Sequence, residues 1–261
     1  MKPATQDLPV GPLESRRPSK PASPEPRSVS VTEGHTLWAQ TYDLAANPLL
    51  ALEERIVDDL LPGVEGKVVL DVACGTGRWL RKLKAKGARA GLGIDLSAEM
   101  LTQAARKLAL KGSLIRGDAR ALPLRSGIAD LVLSSFVAGY IDDLRAFAGE
   151  LARVSRPGGL IIVSDFHPSN HSRRWRRTFR LGAEVLEIRS FVRPTTQLCA
   201  EFEACGLELE TCLEPCFDEP ERRFFDQCGR GDFFEDARSG AAIFICLFRR
   251  RPETVLSETK P

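Results

Sequence analysis

No run of apolar residues in this 261-residue chain is long enough to span a bilayer. The amino-terminal stretch lacks the apolar core of a signal peptide, and its acidic residues argue against a transit peptide. Excess charge of one sign is also missing: 37 Lys and Arg face 35 Asp and Glu, a net charge of +2. That balance gives no whole-surface footprint for nucleic acid or membrane. There is no CxxC pair, and three histidines are too few to complete a zinc site with the irregularly spaced cysteines. The seven cysteines are odd in number and are expected to be reduced thiols in a cytoplasmic protein, with no metal assigned. Internal repeats are absent.

What is present is one α/β domain. Residues 1–32 are rich in Pro, Ser and charge and poor in bulky apolar side chains, so they are expected to be disordered, as are residues 252–261. Between them, residues 33–251 show no second linker. Apolar strands are expected at residues 67–72, 90–95, 114–115, 129–135, 160–165, 207–213 and 243–248. Helices alternate with most of them: one opens at Asn47-Pro48, with Asn as cap and Pro in the first turn, and another is capped by Ser97. The helix carrying Leu144, Phe147, Leu151 and Val154 on one face is expected to end at Pro157-Gly158-Gly159. Repeated strand–helix units imply a Rossmann-like, doubly wound, mostly parallel sheet with ligands at the carboxyl ends of its strands.

The richest stretch is Val68-Val69-Leu70-Asp71-Val72-Ala73-Cys74-Gly75-Thr76-Gly77. A strand runs into a two-glycine turn and then into a helix, which brings bare backbone against a ligand. A dinucleotide fingerprint would carry a third glycine, but Leu80 stands there. Asp71, just before the turn, would repel a pyrophosphate and suits a cation. Asp95 ends the second strand, where it can accept hydrogen bonds from ribose hydroxyls. Asp118 follows the third strand and is placed to receive an adenine amino group. Three carboxylates at neighbouring strand ends outline a nucleoside ligand bearing positive charge. S-adenosylmethionine fits that outline better than NAD.

The segments VLDVACGTG at 69–77, GIDLS at 93–97, GDARALP at 117–123, DLVLSS at 130–135 and LARVSRPGG at 151–159 together resemble the class I S-adenosylmethionine-dependent methyltransferases. The likeness is to the small-molecule group that includes ubiquinone/menaquinone and malonyl-carrier-protein methyltransferases, and it runs from about residue 38 to 213. It implies a seven-stranded sheet whose last strand, residues 243–248, is antiparallel. It also implies a cofactor site of Tyr42, Asp71, Ala73, Gly75, Gly77, Asp95, Leu96, Asp118, Ala119 and Ser135. The segment WAQTYD at 38–43 would cover the cofactor, with Tyr42 near its methionine end.

Residues 166–195 form a lid inserted after the fifth strand. Arg173, Arg174, Arg176, Arg177 and Arg180 lie in it, interleaved with Trp175 and Phe179. Two readings stay open: a solvated helix face, or a clamp for an anionic group on a small-molecule acceptor. Phe224-Phe225 and Phe233-Phe234 either wall a pocket or fill the core. His167 is the first candidate general base and Tyr140 the second, with a plain turn role for His167 equally open. Asp142-Asp143 is better explained as a helix cap than as a metal site. The expected function is methyl transfer to a small molecule; the alternative is a non-catalytic S-adenosylmethionine-binding regulatory protein.

Overall fold

The computed structural model describes residues 25–252. Its sheet core is a seven-stranded sheet built from β2 (Val68–Val72), β3 (Ala90–Asp95), β4 (Leu114–Arg116), β5 (Ala129–Ser135), β6 (Ser155–Phe166), β9 (Leu207–Leu213) and β10 (Ile243–Arg250), in the order β4-β3-β2-β5-β6-β10-β9. β2 to β6 pair in parallel, while β10 runs antiparallel to both β6 and β9. This is the expected Rossmann-like arrangement, including the reversed last strand. The order changes direction at β2 and β5, the two central strands, so their carboxyl ends open onto a crevice.

The helices form where caps and apolar faces agree. α2 (Pro48–Leu60) starts at Asn47, whose side chain accepts from the Leu49 N–H at 3.0 Å. α3 (Arg78–Ala85) follows the glycine turn, and α4 (Ala98–Ala105) is capped by Ser97. α5 (Leu144–Val154) is capped by Asp143, which accepts from the Ala146 N–H at 2.9 Å. α5 ends at Val154, before Pro157, because Ser155 already pairs with Ala129 as the first residue of β6. α5 and α6 (Thr195–Ala204) cover one face through Phe147, Leu151, Leu198 and Phe202. On the other face α2 and α3 join α7 (Glu219–Gln227) and α8 (Phe234–Ala237) over Leu52, Val57, Trp79, Phe225 and Phe234. Phe225 and Phe234 therefore fill the core, while Phe233 stays half exposed.

Two expectations change here. The lid is not helical: it is a hairpin of β7 (Thr178–Leu181) and β8 (Glu184–Ile188). The stretch assigned to the amino-terminal tail divides. Residues 1–24 and 253–261 lie outside the described residues, but β1 (Arg27–Val29) pairs in parallel with β8, and α1 (Val31–Trp38) packs beneath. The few apolar residues of this segment suffice because they meet the lid's apolar face. Val29, Phe179, Leu186 and Ile188 bury one another, and Trp38 stacks on Phe179 with 5.0 Å between centroids. Gly34 permits the approach: a Cβ there would lie 2.6 Å from the Ile188 side chain. Strap and lid together roof the crevice. Among the described residues no helix is long and apolar enough to cross a membrane.

Candidate functional site

The floor of the crevice is the turn after β2. Gly75 and Gly77 have φ of +54° and +79°, as the left-handed turn requires. They serve different ends. A Cβ on Gly75 would meet nothing within 4 Å, so this turn leaves an open cradle above its backbone. A Cβ on Gly77 would lie 2.4 Å from the Leu110 side chain. Gly77 thus packs the start of α3, and it does not line the crevice.

Asp71 is buried, and its carboxylate accepts from the Leu80 N–H at 2.9 Å, tying β2 to the first turn of α3. It also lines a small cavity of about 40 Å³ together with Tyr42, Ala73, Gly75, Arg78 and Ser135. Burial pushes its pKa up to about 7, with the Leu80 hydrogen bond and Arg78 opposing. Burial likewise pushes the Tyr42 phenol up to about 12. Asp95 accepts from the Gly75 N–H at 2.7 Å and the Ser97 N–H at 2.8 Å. Burial raises its pKa too, against those hydrogen bonds and the nearby His35.

This cavity opens into a cleft of about 2420 Å³ beneath strap and lid. Tyr42, Ala73, Gly75, Asp95, Leu96, Asp118, Ala119, Ser135, Tyr140 and His167 all line it. Asp118 is less free than its place suggests. Arg120 holds its carboxylate at 2.7 Å and keeps its pKa below the usual carboxylate range. Arg120 also pairs with Asp142 at 2.6 Å. The strap is fastened over the turn by Asp43, which accepts from the Thr76 hydroxyl at 2.7 Å and pairs with Lys107 at 2.9 Å. All three described non-glycine residues with positive φ, Ala73, Phe136 and Arg174, line the cleft. Local strain is therefore concentrated at its walls.

His167 has partners on both ring nitrogens. Nδ1 accepts from the Ser169 N–H at 3.3 Å, and Nε2 lies 3.3 Å from the Glu214 carboxylate. Tyr140 lies under the Arg177 guanidinium, 4.7 Å from its ring centroid, and burial raises its pKa.

Sequence reasoning missed two residues. His35 projects from α1, donates from Nδ1 to the Val31 carbonyl at 2.8 Å and meets Tyr140 edge-on at 5.1 Å. Burial lowers its pKa, so its ring is held neutral. Glu53, fully buried on α2, accepts from the Trp79 indole at 3.0 Å and also binds Arg78 and Ser164. Only a polar position on the apolar side of α2 could have signalled it.

The arginine cluster separates into parts. Arg177 is buried in an ion pair with Asp165 at the end of β6. Arg173 donates to the carbonyls of Asp236 and Ala237 and stacks on Trp175 at 4.3 Å. Arg176 pairs with Glu187 at 3.0 Å. Arg174 and Arg180, with Arg189 nearby, are exposed on the cleft and have no carboxylate partner among the described residues.

The chain is similar to known proteins. A family model described as a methyltransferase domain matches residues 70–163. A malonyl-[acyl-carrier protein] O-methyltransferase from Hamiltonella defensa is 30% identical over 205 residues, 77% of this chain and 76% of that protein. One from Pectobacterium atrosepticum is 37% identical over 142 residues, 53% of this chain and 55% of its own length. Several of the curated relatives are thus matched over only about half their length. An S-adenosylmethionine-dependent methyltransferase structure from Mesorhizobium loti superposes with a TM-score of 0.63 at 21% identity, covering 78% of this chain and 100% of that one. The [4+2]-cyclase SpnF shares the fold as well, with a TM-score of 0.60 at 17% identity over 87% of this chain and 98% of its own, so the fold alone assigns no chemistry. The chain belongs to the class I S-adenosylmethionine-dependent methyltransferases.

The residues present fit that family's cofactor. The cradle above Gly75 is open, and Asp71 is a buried carboxyl beside a cavity that Arg78 also lines. Asp95 keeps free lone pairs on both oxygens for ribose hydroxyls.

Proposed function

We propose that this protein transfers a methyl group from S-adenosylmethionine to a small acceptor with a carboxylate at one end and an apolar body. The carrying observation is the make-up of the cleft mouth. Of seven large apolar side chains left exposed among the described residues, five line it: Leu44, Leu96, Phe191, Val192 and Phe233. Nine arginines and six carboxylates also line it. After the ion pairs above and the carbonyl-bound Arg173 and Arg193 are set aside, Arg174, Arg180, Arg189 and Arg230 remain to meet an anion. The relatives named for O-methylation of a malonyl group support the same acceptor chemistry.

Asp71, Tyr42 and Ser135 would hold the methionine end of the cofactor, Gly75 and Ala73 its middle, and Asp95 the ribose. Leu96 and Ala119 would flank the adenine, with Asp118 at its edge. When bound, S-adenosylmethionine supplies a methyl group already activated on a sulfonium. The protein's share is alignment and exclusion of water by strap and lid. A carboxylate acceptor is already anionic, so no proton needs to be taken. His167, His35 and Tyr140 then act as walls that orient the acceptor.

The test is an assay with radiolabelled cofactor against medium-chain carboxylic acids and half-esters of dicarboxylic acids. Label should enter as a base-labile ester, at a rate nearly flat above pH 7.5. Changing Arg174, Arg180 and Arg189 together to Gln should raise the acceptor KM at least about tenfold and leave cofactor affinity unchanged. Base-stable label, or unchanged KM in the triple variant, would overturn the carboxylate reading. Cofactor binding without transfer to any acceptor would favour a regulatory role.

A further inference from the structure

On the α5–α6 face of the sheet, three elements bring three cysteines together. Cys199 lies on α6, Cys212 on β9 and Cys246 on β10, and their sulfurs all fall within 4.8 Å of one another. Cys212 and Cys246 stand directly opposite in the β9–β10 register, on the same face of the sheet. Their Sγ atoms are 2.6 Å apart, closer than two unbonded sulfurs rest. Cys199 Sγ lies 3.9 Å from Cys246 Sγ. Cys246 is fully buried, Cys199 nearly so, and Cys212 is half-buried.

The surroundings decide between two chemistries. A soft metal would require the sulfurs as thiolates, leaving net negative charge in an apolar layer that includes Phe202 and Phe248. No histidine joins the trio, and Glu214 adds further negative charge near Cys212. A disulfide is neutral and buries no charge. Opposed positions on neighbouring strands place the two side chains near bonding reach without a change of fold.

We propose that Cys212 and Cys246 are a thiol pair that a peroxide oxidises to an intrachain disulfide, with Cys199 as the exchange partner. Cys212, the more accessible thiol, gives up its proton and attacks one peroxide oxygen. The O–O bond breaks, leaving Cys212 as a sulfenic acid and releasing water. The Cys246 sulfur then displaces hydroxide, which leaves as water with the Cys246 proton. Two thiols and one hydrogen peroxide thus give one disulfide and two waters. Cys199 can attack Cys246 in turn, freeing Cys212 and moving the bond to Cys199–Cys246. The bond would close the segment 212–246, which carries α7, α8 and the cleft-wall residues Phe217, Phe225 and Phe233. None of this depends on the methyl-transfer reading.

The experiment uses the full chain carrying Cys216→Ser and Cys228→Ser, because those two thiols are exposed and would react indiscriminately. Purified protein is treated with hydrogen peroxide, alkylated and digested, and peptide masses are read with and without reductant. The expected result is a loss of two hydrogens per chain, carried by a reducible peptide pair joining Cys212 to Cys246. The melting temperature should rise by about 5 °C or more and fall back with reductant. In a Cys212→Ser background the link should move to Cys199–Cys246. Three results would overturn the proposal: all three thiols remaining alkylatable after peroxide, cross-links only between chains or through Cys74 or Cys205, or stoichiometric zinc or copper held by the trio in the untreated protein. Because the Cys212–Cys246 pair is read directly, a Cys212→Ser variant that fails to fold leaves the test intact.

Discussion

Asp95 and Asp71 sit at the ends of adjacent strands and are both raised by burial, but they answer to different partners. Asp95 is held by two backbone N–H groups, so Asp95→Asn keeps one acceptor oxygen and the local turn. That variant should weaken cofactor binding by about 1.5–3 kcal/mol, the worth of hydrogen bonds to a charged group, as read by calorimetry. Asp71 has a pKa of about 7 because burial outweighs its single hydrogen bond. A cationic ligand favours the ionised carboxyl, so cofactor affinity should rise about eightfold between pH 6 and pH 7.5, and Asp71→Asn should flatten that rise. The sign for stability is opposite. A carboxyl whose folded pKa lies above its unfolded value of 3.8 takes up a proton on folding. Its contribution is full below about pH 4 and is lost as pH rises to about 7, which denaturant titrations of the wild type and of Asp71→Asn would resolve.

Among the elements, those with strong local signals were legible beforehand. Asn47-Pro48 and Ser97 announced α2 and α4, and the apolar runs announced all seven strands of the main sheet. The roof was not. β1 is three residues long in a Pro/Ser-rich stretch, and its partner β8 lies about 160 positions away, so no local pattern could reveal the pairing. Likewise the arginine run looked uniform because its ion-pair partners, Asp165 and Glu187, are set by the hairpin and not by spacing. A prediction follows for the strap. Removing residues 1–24 should leave the melting temperature unchanged, since they carry few bulky apolar side chains to anchor them. Removing residues 1–30 strips Val29 from its apolar neighbours and Ser30 from the α1 cap. The loss should be about 2–4 kcal/mol of roof stability, visible as faster hydrogen exchange in β7 and β8.

For the molecule as a whole, the buried Arg177–Asp165 pair is the pin that joins the two sheets, since it ties the lid hairpin to the end of β6. Breaking it by Arg177→Gln strands a buried carboxylate and should destabilise by about 3–5 kcal/mol, chiefly in the roof, as thermal unfolding would register. The sequence foretold the position of the cofactor turn but not this pin, because a buried pair is defined by two distant residues meeting. The pairing of β1 with β8 also bears on how the chain is made. β1 leaves the ribosome early, but its hydrogen-bonding partner is finished only after residue 188. Until then Val29 lacks the β8 side chains that bury it, while α4, which α1 touches through Thr36 and Glu99, is already synthesised along with β2 to β5 and the glycine turn. The roof, whose β1–β8 pairing joins residues about 160 positions apart, should therefore close late, after the floor it covers has formed. A nascent chain arrested near residue 175 would expose that floor to any ligand in the surrounding solution, with β1 still waiting for the strand that completes its shelter.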